Sequence, residues 1–138
     1  MIDLSTKFGQ RAAKRLKEEN VIWLTTVGQD LTPHPRPVWF LWDGEWFLIF
    51  SQPDTYKLRH ISRHPRVSLN FNSDRHGDDI IVFEGEAKIL EEAPPLDEMN
   101  AYLEKYTDGI RDLQSTTEEF VKEYRVGIRV RPDKVRGF

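Results

Sequence analysis

The sequence predicts a mainly β (α+β) fold: an antiparallel barrel of six or seven short strands with a few peripheral helices. Three observations indicate this class. Short β-branched and aromatic segments recur between turn residues along the chain. The dipeptide Asp43-Gly44 separates two apolar runs, which is the strongest short-range signal for a β-hairpin. Helical patterns are few, and 138 residues suffice for a single domain, residues 1–138, with its own core.

The hairpin around Asp43-Gly44 is unusual because both of its faces are apolar. A two-residue type I′ turn would pair Phe40 with Phe47 on one face. The same turn would pair Trp39 with Leu48 on the other face. Side chains alternate between the faces of a strand, so a half-solvated hairpin would carry one polar face. We therefore expect both faces to be covered, and expect a chain this short to lack enough material to cover them alone.

The segments before the hairpin indicate a helix, a strand and an irregular or edge segment. Apolar residues at helical spacing, from Leu4 to Leu16, predict an amphipathic helix over 4–19. Residues 21–27 are β-branched and aromatic, which predicts a strand. Alternate prolines cannot donate the hydrogen bonds of an inner strand, so 33–37 is predicted to be an edge or an irregular segment.

The segments after the hairpin alternate between strands and short helices. Pro65 ends the first of these helices, Pro94-Pro95 precedes the second, and a polar link with Asp108 and Gly109 follows it. The predicted helices are 56–63, 96–106 and 117–123, and the predicted strands are 67–72, 80–90, 124–131 and 134–138.

Composition narrows the functional class. The chain has no cysteine, which excludes disulfides, thiolate metal sites and cysteine nucleophiles and fits a reducing compartment. Neither a membrane-spanning apolar run nor a secretion signal is visible, so we expect a cytoplasmic protein without membrane partners. The net charge of −3 argues against bulk nucleic-acid binding. Basic residues cluster in the first helix and the last fourteen residues, either as solvated faces or as a groove for an anion.

Known catalytic motifs are absent. The chain contains no Gly-x-Ser-x-Gly elbow, Walker loop or Gly-x-Gly-x-x-Gly fingerprint. His60 and His64 are spaced for one helical face, but Pro65 follows at once and no third ligand is evident, so we expect surface residues and no metal site. His34, between two prolines, lies in a probable rim loop where it could contact a ligand, without the surroundings of a catalytic pair.

Three polar residues flank the apolar hairpin and suggest a phosphate site. Arg36 precedes it, Ser51 follows it, and Lys57 lies in the first turn of the next helix. Helix N-termini offer free amide donors and a partial positive charge, so Ser51, Thr55 and Lys57 could hold a phosphate. The hairpin pairing would bring Arg36 next to Ser51. The alternative is that Ser51 and Thr55 only cap the helix while the two cations are solvated.

These residues resemble the pyridoxamine-phosphate-oxidase-like split β-barrel family of flavin and deazaflavin (F420) binding proteins. The similarity runs in order from about residue 16 to 138. The matching segments are 32–40, 43–44, Ser51, 57–59, 64–69 and 131–135.

The resemblance implies a six-stranded antiparallel split barrel of the FMN-binding type that forms a homodimer with cofactor sites at the interface. By position, Arg36, Ser51 and Lys57 would bind the cofactor phosphate. The residues implied to line the ring are Pro37, Val38, Trp39 and Phe50. Arg131 would reach across the interface. The resemblance assigns no catalytic residue.

The chain departs from true pyridoxamine phosphate oxidases because it lacks their arginine-rich C-terminal signature, and the F420-dependent reductases look closer. A glutamate-rich cofactor tail would suit the basic first helix or the last strand. The resemblance thus implies an oxidoreductase that uses F420 or FMN to transfer a hydride to or from a small conjugated substrate. The alternatives are a non-catalytic flavin or tetrapyrrole carrier and, less favoured by the acidic charge, a single-stranded nucleic-acid barrel.

Overall fold

Twelve elements make up the computed structural model, which describes residues 2–138. In chain order they are α1 (Lys7–Glu18), β1 (Ile22–Val27), β2 (Pro33–Val38), β3 (Leu41–Trp42), β4 (Phe47–Ser51), α2 (Tyr56–Arg63), β5 (Arg66–Asn70), β6 (Ile81–Ile89), α3 (Leu96–Lys105), α4 (Thr107–Asp112), α5 (Thr117–Glu123) and β7 (Val126–Gly137). No helix within residues 2–138 combines the length and apolarity needed to cross a membrane.

All strands belong to one antiparallel sheet in the order β2-β1-β5-β6-β7-β4-β3. Val38 at one edge and Trp42 at the other edge pack on the same buried core, so the sheet is curled into a half-closed barrel. The predicted mainly β (α+β) class with peripheral helices is confirmed. The strand count is seven rather than the six that the resemblance implied, because β2 is a strand separate from the hairpin.

The hairpin differs from the prediction in its register. Trp42 pairs with Phe47, so the turn has four residues instead of two. Asp43 sets this turn, since its Oδ1 accepts hydrogen bonds from the amides of Glu45 at 2.9 Å and Trp46 at 2.7 Å. A shift of two residues leaves every side chain on its predicted face because side chains alternate with a period of two.

The two faces of the hairpin belong to two separate cores. Phe40, Phe47 and Ile49 fill the barrel interior, whereas Leu48 and Phe50 pack in a second core with side chains of α3, α4 and α5. The expectation that the chain lacks material for the second face is therefore wrong. Its own C-terminal helices cover that face.

Trp39 anchors this second core. Its ring stacks on Tyr106 with centroids 4.5 Å apart and an angle of 2° between the planes. The link predicted around Asp108 and Gly109 is instead helix α4. A Cβ on Gly109 would lie 3.0 Å from the Trp39 ring, so the glycine allows the close approach of helix and indole.

Strand β2 pairs only with β1, as an edge strand should. Its three prolines recur at every second residue, which keeps the positions without an N–H on the side away from β1. The predicted strands 124–131 and 134–138 form one strand, β7, with a register irregularity beside Gly85. A Cβ on Gly85 would lie 2.2 Å from the Arg131 carbonyl oxygen, so a glycine is needed there for β7 to continue.

Candidate functional site

A cleft of about 580 Å³ lies between edge strand β2 and helix α2. Polar residue types predominate among its lining residues, and several of them are cations. The lining residues are Thr26, His34, Arg36, Gln52, Asp54, Thr55, Tyr56, Lys57, Arg59, His60 and Tyr124.

The backbone of the two elements determines which side chains meet in this cleft. Alternation along β2 places His34 and Arg36 on one face of the strand. The spacing of three residues places Lys57 and His60 on one face of α2. Arg36 and Lys57 therefore line the same cleft. The predicted pairing of Arg36 beside Ser51 is wrong, since β2 pairs with β1 whereas β4 pairs with β3 and β7.

Ser51 has a different position from the one predicted. It is fully buried and does not line the cleft. Its Oγ donates a hydrogen bond to the Gln52 carbonyl at 2.7 Å and accepts one from the Thr55 hydroxyl at 2.9 Å. Lys57 Nζ lies 3.4 Å from the same Oγ. Ser51 therefore positions Thr55 and Lys57, and its direct contact with a phosphate is not part of this geometry.

The start of helix α2 leaves backbone donors available. Thr55 is the N-cap residue, but no side chain makes a capping hydrogen bond there. The first N–H groups of a helix have no partner inside the helix and carry a partial positive charge. We call Arg36, Lys57 and the first-turn amides of α2 the phosphate site. The alternative of helix capping alone fails for Thr55, whose hydroxyl points to Ser51.

Lys57 is half-buried without a carboxylate to neutralise it. Burial, together with the neighbouring Arg36 guanidinium, lowers the pKa of Lys57 below its ordinary value. Within residues 2–138 neither Lys57 nor Arg36 nor Arg59 belongs to an ion pair. This part of the cleft therefore attracts anions.

A second pocket, of about 290 Å³, adjoins the cleft and is mainly apolar. Lys57 and Tyr124 line both cavities, so the two are continuous at these side chains. The predicted ring-lining residues Pro37, Val38, Trp39 and Phe50 all line this second pocket. Helices α3 to α5 and the residues around them supply the rest, which are Tyr102, Leu113, Phe120 and Tyr124.

Arg131 is not brought to the cleft or to the apolar pocket. It lies on β7 near the hairpin turn, where it pairs with Glu45 at 2.9 Å and its guanidinium lies 5.7 Å from the Trp46 ring centroid. Ser51, which is buried beside the cleft, pairs with Val126 at the opposite end of the contact between β4 and β7. A contact between Arg131 and a cofactor needs a second subunit and stays a prediction.

The histidines also contribute to the cleft. The rings of His34 and His60 lie 4.7 Å apart, and His60 Nδ1 lies 2.9 Å from the Thr26 hydroxyl. His64 is the C-cap residue of α2. Among residues 2–138 no group of three side chains has the arrangement of a metal site.

The sequence analysis missed several residues that line the site. His60 was treated as a surface residue, and Tyr124, Tyr102 and Phe120 were assigned no part. The alternation of β2 and the helical period of α2 could have grouped His34 with His60, but only once the two elements were known to be neighbours. The helix residues had no local signal, because their position follows from the packing of α3 to α5 on the hairpin.

Comparison with protein families shows to which family the chain belongs. The sequence profile described as pyridoxamine 5'-phosphate oxidase matches residues 8–138. The chain belongs to this family. A search of curated proteins finds no match.

Solved structures with the fold of this family include proteins that are named for different functions. A provisionally assigned pyridoxamine 5'-phosphate oxidase from Listeria innocua is 23% identical with a TM-score of 0.71, over 92% of this chain and 94% of that one. An F420 reductase is 24% identical with a TM-score of 0.67, over 89% and 94%. A heme storage protein from Vibrio cholerae is 15% identical with a TM-score of 0.71, over 96% and 95%. At these identities the likeness establishes the fold, which confirms the split barrel.

Proposed function

We propose that the protein is an oxidoreductase that binds F420 or FMN and transfers a hydride to or from a small conjugated organic substrate. One observation carries this proposal. A cation-lined cleft continues into an aromatic pocket at Lys57 and Tyr124. This arrangement suits a flat ring joined by a short chain to a phosphate, and an F420 reductase shares the fold.

The residues present fit such a group by the chemistry of their donors. Arg36, Lys57 and the first-turn amides of α2 would hold the phosphate, because a guanidinium, an ammonium and free backbone N–H groups all donate to phosphate oxygens. The ring would lie against Trp39 and Phe50. The two volumes, about 580 and about 290 Å³, are those of ordinary ligand sites.

The bound cofactor would supply the redox chemistry, by giving or taking the hydride at its ring. The protein's own part is to orient and to exclude water. Trp39 is held in place by its stack on Tyr106, so the apolar wall is rigid. The cations at Arg36 and Lys57 fix one end of the ligand and thereby limit the positions of the ring relative to a substrate.

The proposal includes a homodimer with the cofactor between the subunits. Two large side chains beside the site are exposed: Tyr56 at 69% and Leu113 at 59%. A second copy would cover them and could bring its own Arg131 to the ligand. Sedimentation or light scattering of the purified protein tests this, and a monomer at micromolar concentration would contradict it. Because the chain lacks cysteine, we propose the cytoplasm as its compartment.

Titration of the apo protein with FMN and F420 side by side tests cofactor binding. We expect micromolar or tighter binding of at least one, seen as a change in the absorption and fluorescence of the ring. Turnover is tested by adding quinones or enones to the protein with reduced cofactor. Failure to bind either cofactor contradicts the proposal as a whole.

A non-catalytic carrier of a flavin or tetrapyrrole is the second candidate. The observation in its favour is the likeness to a heme storage protein, which extends over 96% of this chain. Binding of hemin with a shifted absorption band, combined with absence of turnover for every acceptor, would favour the carrier over the oxidoreductase.

A further inference from the structure

The cationic wall of the cleft extends beyond the phosphate site. His34 precedes Arg36 by two residues on β2, and His60 follows Lys57 by three residues on α2. The two histidine rings meet at 4.7 Å, so β2 and α2 bring a second pair of side chains together next to the first pair. Arg59 lines the same cavity.

We propose that His34, His60 and Arg59 form a second anion-binding site, the histidine site, for a ligand with two anionic groups. The ligand class is a phosphate ester with a further carboxylate or phosphate about 5–7 Å beyond the first. This distance is the rise of two residues along a strand or of three residues along a helix. This inference rests on the proposed function, because the phosphate site is the first anchor. It deepens that function because an FMN phosphate alone would leave the histidine site unused.

The size of the cleft supports a second anionic group. The cavity measures about 580 Å³, and Lys57 of the phosphate site also lines the adjoining apolar pocket, whereas His34 and His60 do not. A single phosphate would leave the part beside His34 and His60 to solvent. The other basic clusters of the chain are poor alternatives for a ligand's acidic tail, since members of both form ion pairs with carboxylates of the chain.

His60 is held by a hydrogen bond to a buried hydroxyl. Its Nδ1 lies 2.9 Å from the hydroxyl of Thr26, which is 2% exposed. A hydroxyl can donate to a neutral Nδ1 or accept from a protonated one. When Thr26 donates to Nδ1, Nε2 carries the proton of the neutral ring, and in the imidazolium both nitrogens carry one, so Nε2 is then the donor left for a ligand in the cleft.

The charges around the histidine site determine its pH dependence. Burial first, and then His34, Arg59 and Arg63, lower the pKa of His60 below its ordinary value, while Asp30 opposes them. The charged and titratable groups around the two imidazoles, from the loops, β2 and α2, are Asp30, Arg36, Asp54, Tyr56, Lys57, Arg59 and Arg63. A bound anion favours the imidazolium, so binding takes up a proton and the affinity rises as the pH falls.

Two sulfonates that stay fully ionised can test the site without titrating themselves. We would titrate the protein with ethanesulfonate and with propane-1,3-disulfonate at about pH 5.5 and about pH 8, following chemical shifts by NMR. At the lower pH we expect the disulfonate to bind about tenfold more tightly than the monosulfonate. At the higher pH this advantage should fall at least about threefold.

Variants separate the histidine site from the phosphate site. The double variant His34→Gln/His60→Gln should lose the advantage of the disulfonate and keep the monosulfonate affinity within about twofold. His76→Gln, in the exposed loop between β5 and β6, is the matched control and should behave as the wild type. Lys57→Ala should weaken both sulfonates.

The outcomes are distinct. Equal affinity for the two sulfonates, or an advantage that survives in His34→Gln/His60→Gln, overturns the histidine site. If monosulfonate binding does not respond to Lys57→Ala, the phosphate site fails too, and the proposed function with it. Titrations with F420, which has carboxylates beyond its phosphate, and with FAD, which has a second phosphate, identify the source of the second anion. The double variant should weaken whichever of these binds and leave FMN unchanged.

Discussion

The basic residues of β7 and those of the cleft between β2 and α2 differ in whether a carboxylate neutralises them. On β7, three arginines pair with carboxylates of neighbouring elements: Arg129 with Glu98, Arg131 with Glu45, and Arg136 with Glu84. In the cleft, Arg36, Lys57 and Arg59 form no ion pair within the described part of the chain. A paired cation is neutralised by a carboxylate of the chain, whereas unpaired cations around a cavity repel one another until an anion binds.

These ion pairs also explain why the clusters of basic residues in the sequence do not mark the proposed ligand site. The first helix and the last strand contain most of the clustered basic residues, and they seemed suited to an acidic tail. Arg11 and Arg15 of the first helix instead pair with Asp79. The proposed ligand site lies where the fold brings β2 and α2 together.

The largest effect should come from removing the cations of the phosphate site. We expect the double variant Arg36→Ala/Lys57→Ala to weaken binding of FMN or F420 about 100-fold, and each single variant about tenfold, because each loses a charge-assisted hydrogen bond. Fluorescence titration measures this. The matched control Arg136→Ala removes a paired cation, and its affinity should match that of the wild type. An equal loss of affinity in Arg136→Ala would contradict the difference between paired and unpaired cations.

Removing a paired cation should affect stability instead. Arg129 is half-buried and makes two contacts with the Glu98 carboxylate, with Asp43 3.7 Å away. We expect Arg129→Met to lower the free energy of unfolding by about 2 kcal/mol, because Glu98 would lose its partner. Urea denaturation measures this. Cofactor affinity should stay within about twofold, and a large loss of affinity would place Arg129 in the site.

Lys105 is an intermediate case, since its partners are a carbonyl and two rings. Its Nζ donates to the Phe40 carbonyl at 2.7 Å and lies 3.7 Å from the Phe40 ring centroid. Burial lowers the pKa of Lys105 to about 8. Between about 8 and the ordinary value of 10.5 the unfolded chain binds more protons, so stability rises with pH in this window.

Across this pH window we expect the free energy of unfolding to rise by about 1 kcal/mol. This is less than the full pKa shift of Lys105 would give, because the side chain keeps part of its hydration. Urea unfolding of the wild type and Lys105→Met at several alkaline pH values measures the difference. Parallel curves for the two proteins would show that the ammonium carries no penalty in the fold.

The smallest expected effect is on the free energy of unfolding of the protein without a ligand. Because Lys57 is half-buried beside Arg36 and has no carboxylate partner, Lys57→Met should raise the free energy of unfolding by about 0.5 kcal/mol at neutral pH. The lowered pKa of Lys57 predicts that this gain shrinks as the pH rises toward 10.5. A destabilised Lys57→Met protein would mean that the ammonium supports the fold through Ser51.

Local patterns were sufficient for much of the fold. The bounds of α2 and α5 match the prediction because Pro65 and the flanking turn residues act locally. The faces of the hairpin are also right, since alternation needs only the chain itself. The register of the hairpin and helix α4 do not follow from the pattern of apolar residues alone. They depend on the Asp43 side chain in the turn and on the contact between Gly109 and Trp39.

The same division holds for the site. Arg36, Lys57 and the proposed ring-lining residues lie near one segment and match a family pattern, and the structure places them around two adjoining cavities. Ser51 was misplaced because nothing in the sequence says which way its hydroxyl points. The pairing of His34 with His60 and the contribution of Tyr124 depend on elements that are distant in sequence, so only the three-dimensional structure brings them together.

A crystal structure of the protein with bound FMN or F420 tests the central claim most directly. We expect the phosphate to contact Arg36, Lys57 and the first-turn amides of α2, with the ring against Trp39 or Phe50. A phosphate bound by the arginines of β7 or by the first helix, with the cleft filled only by solvent, would contradict it.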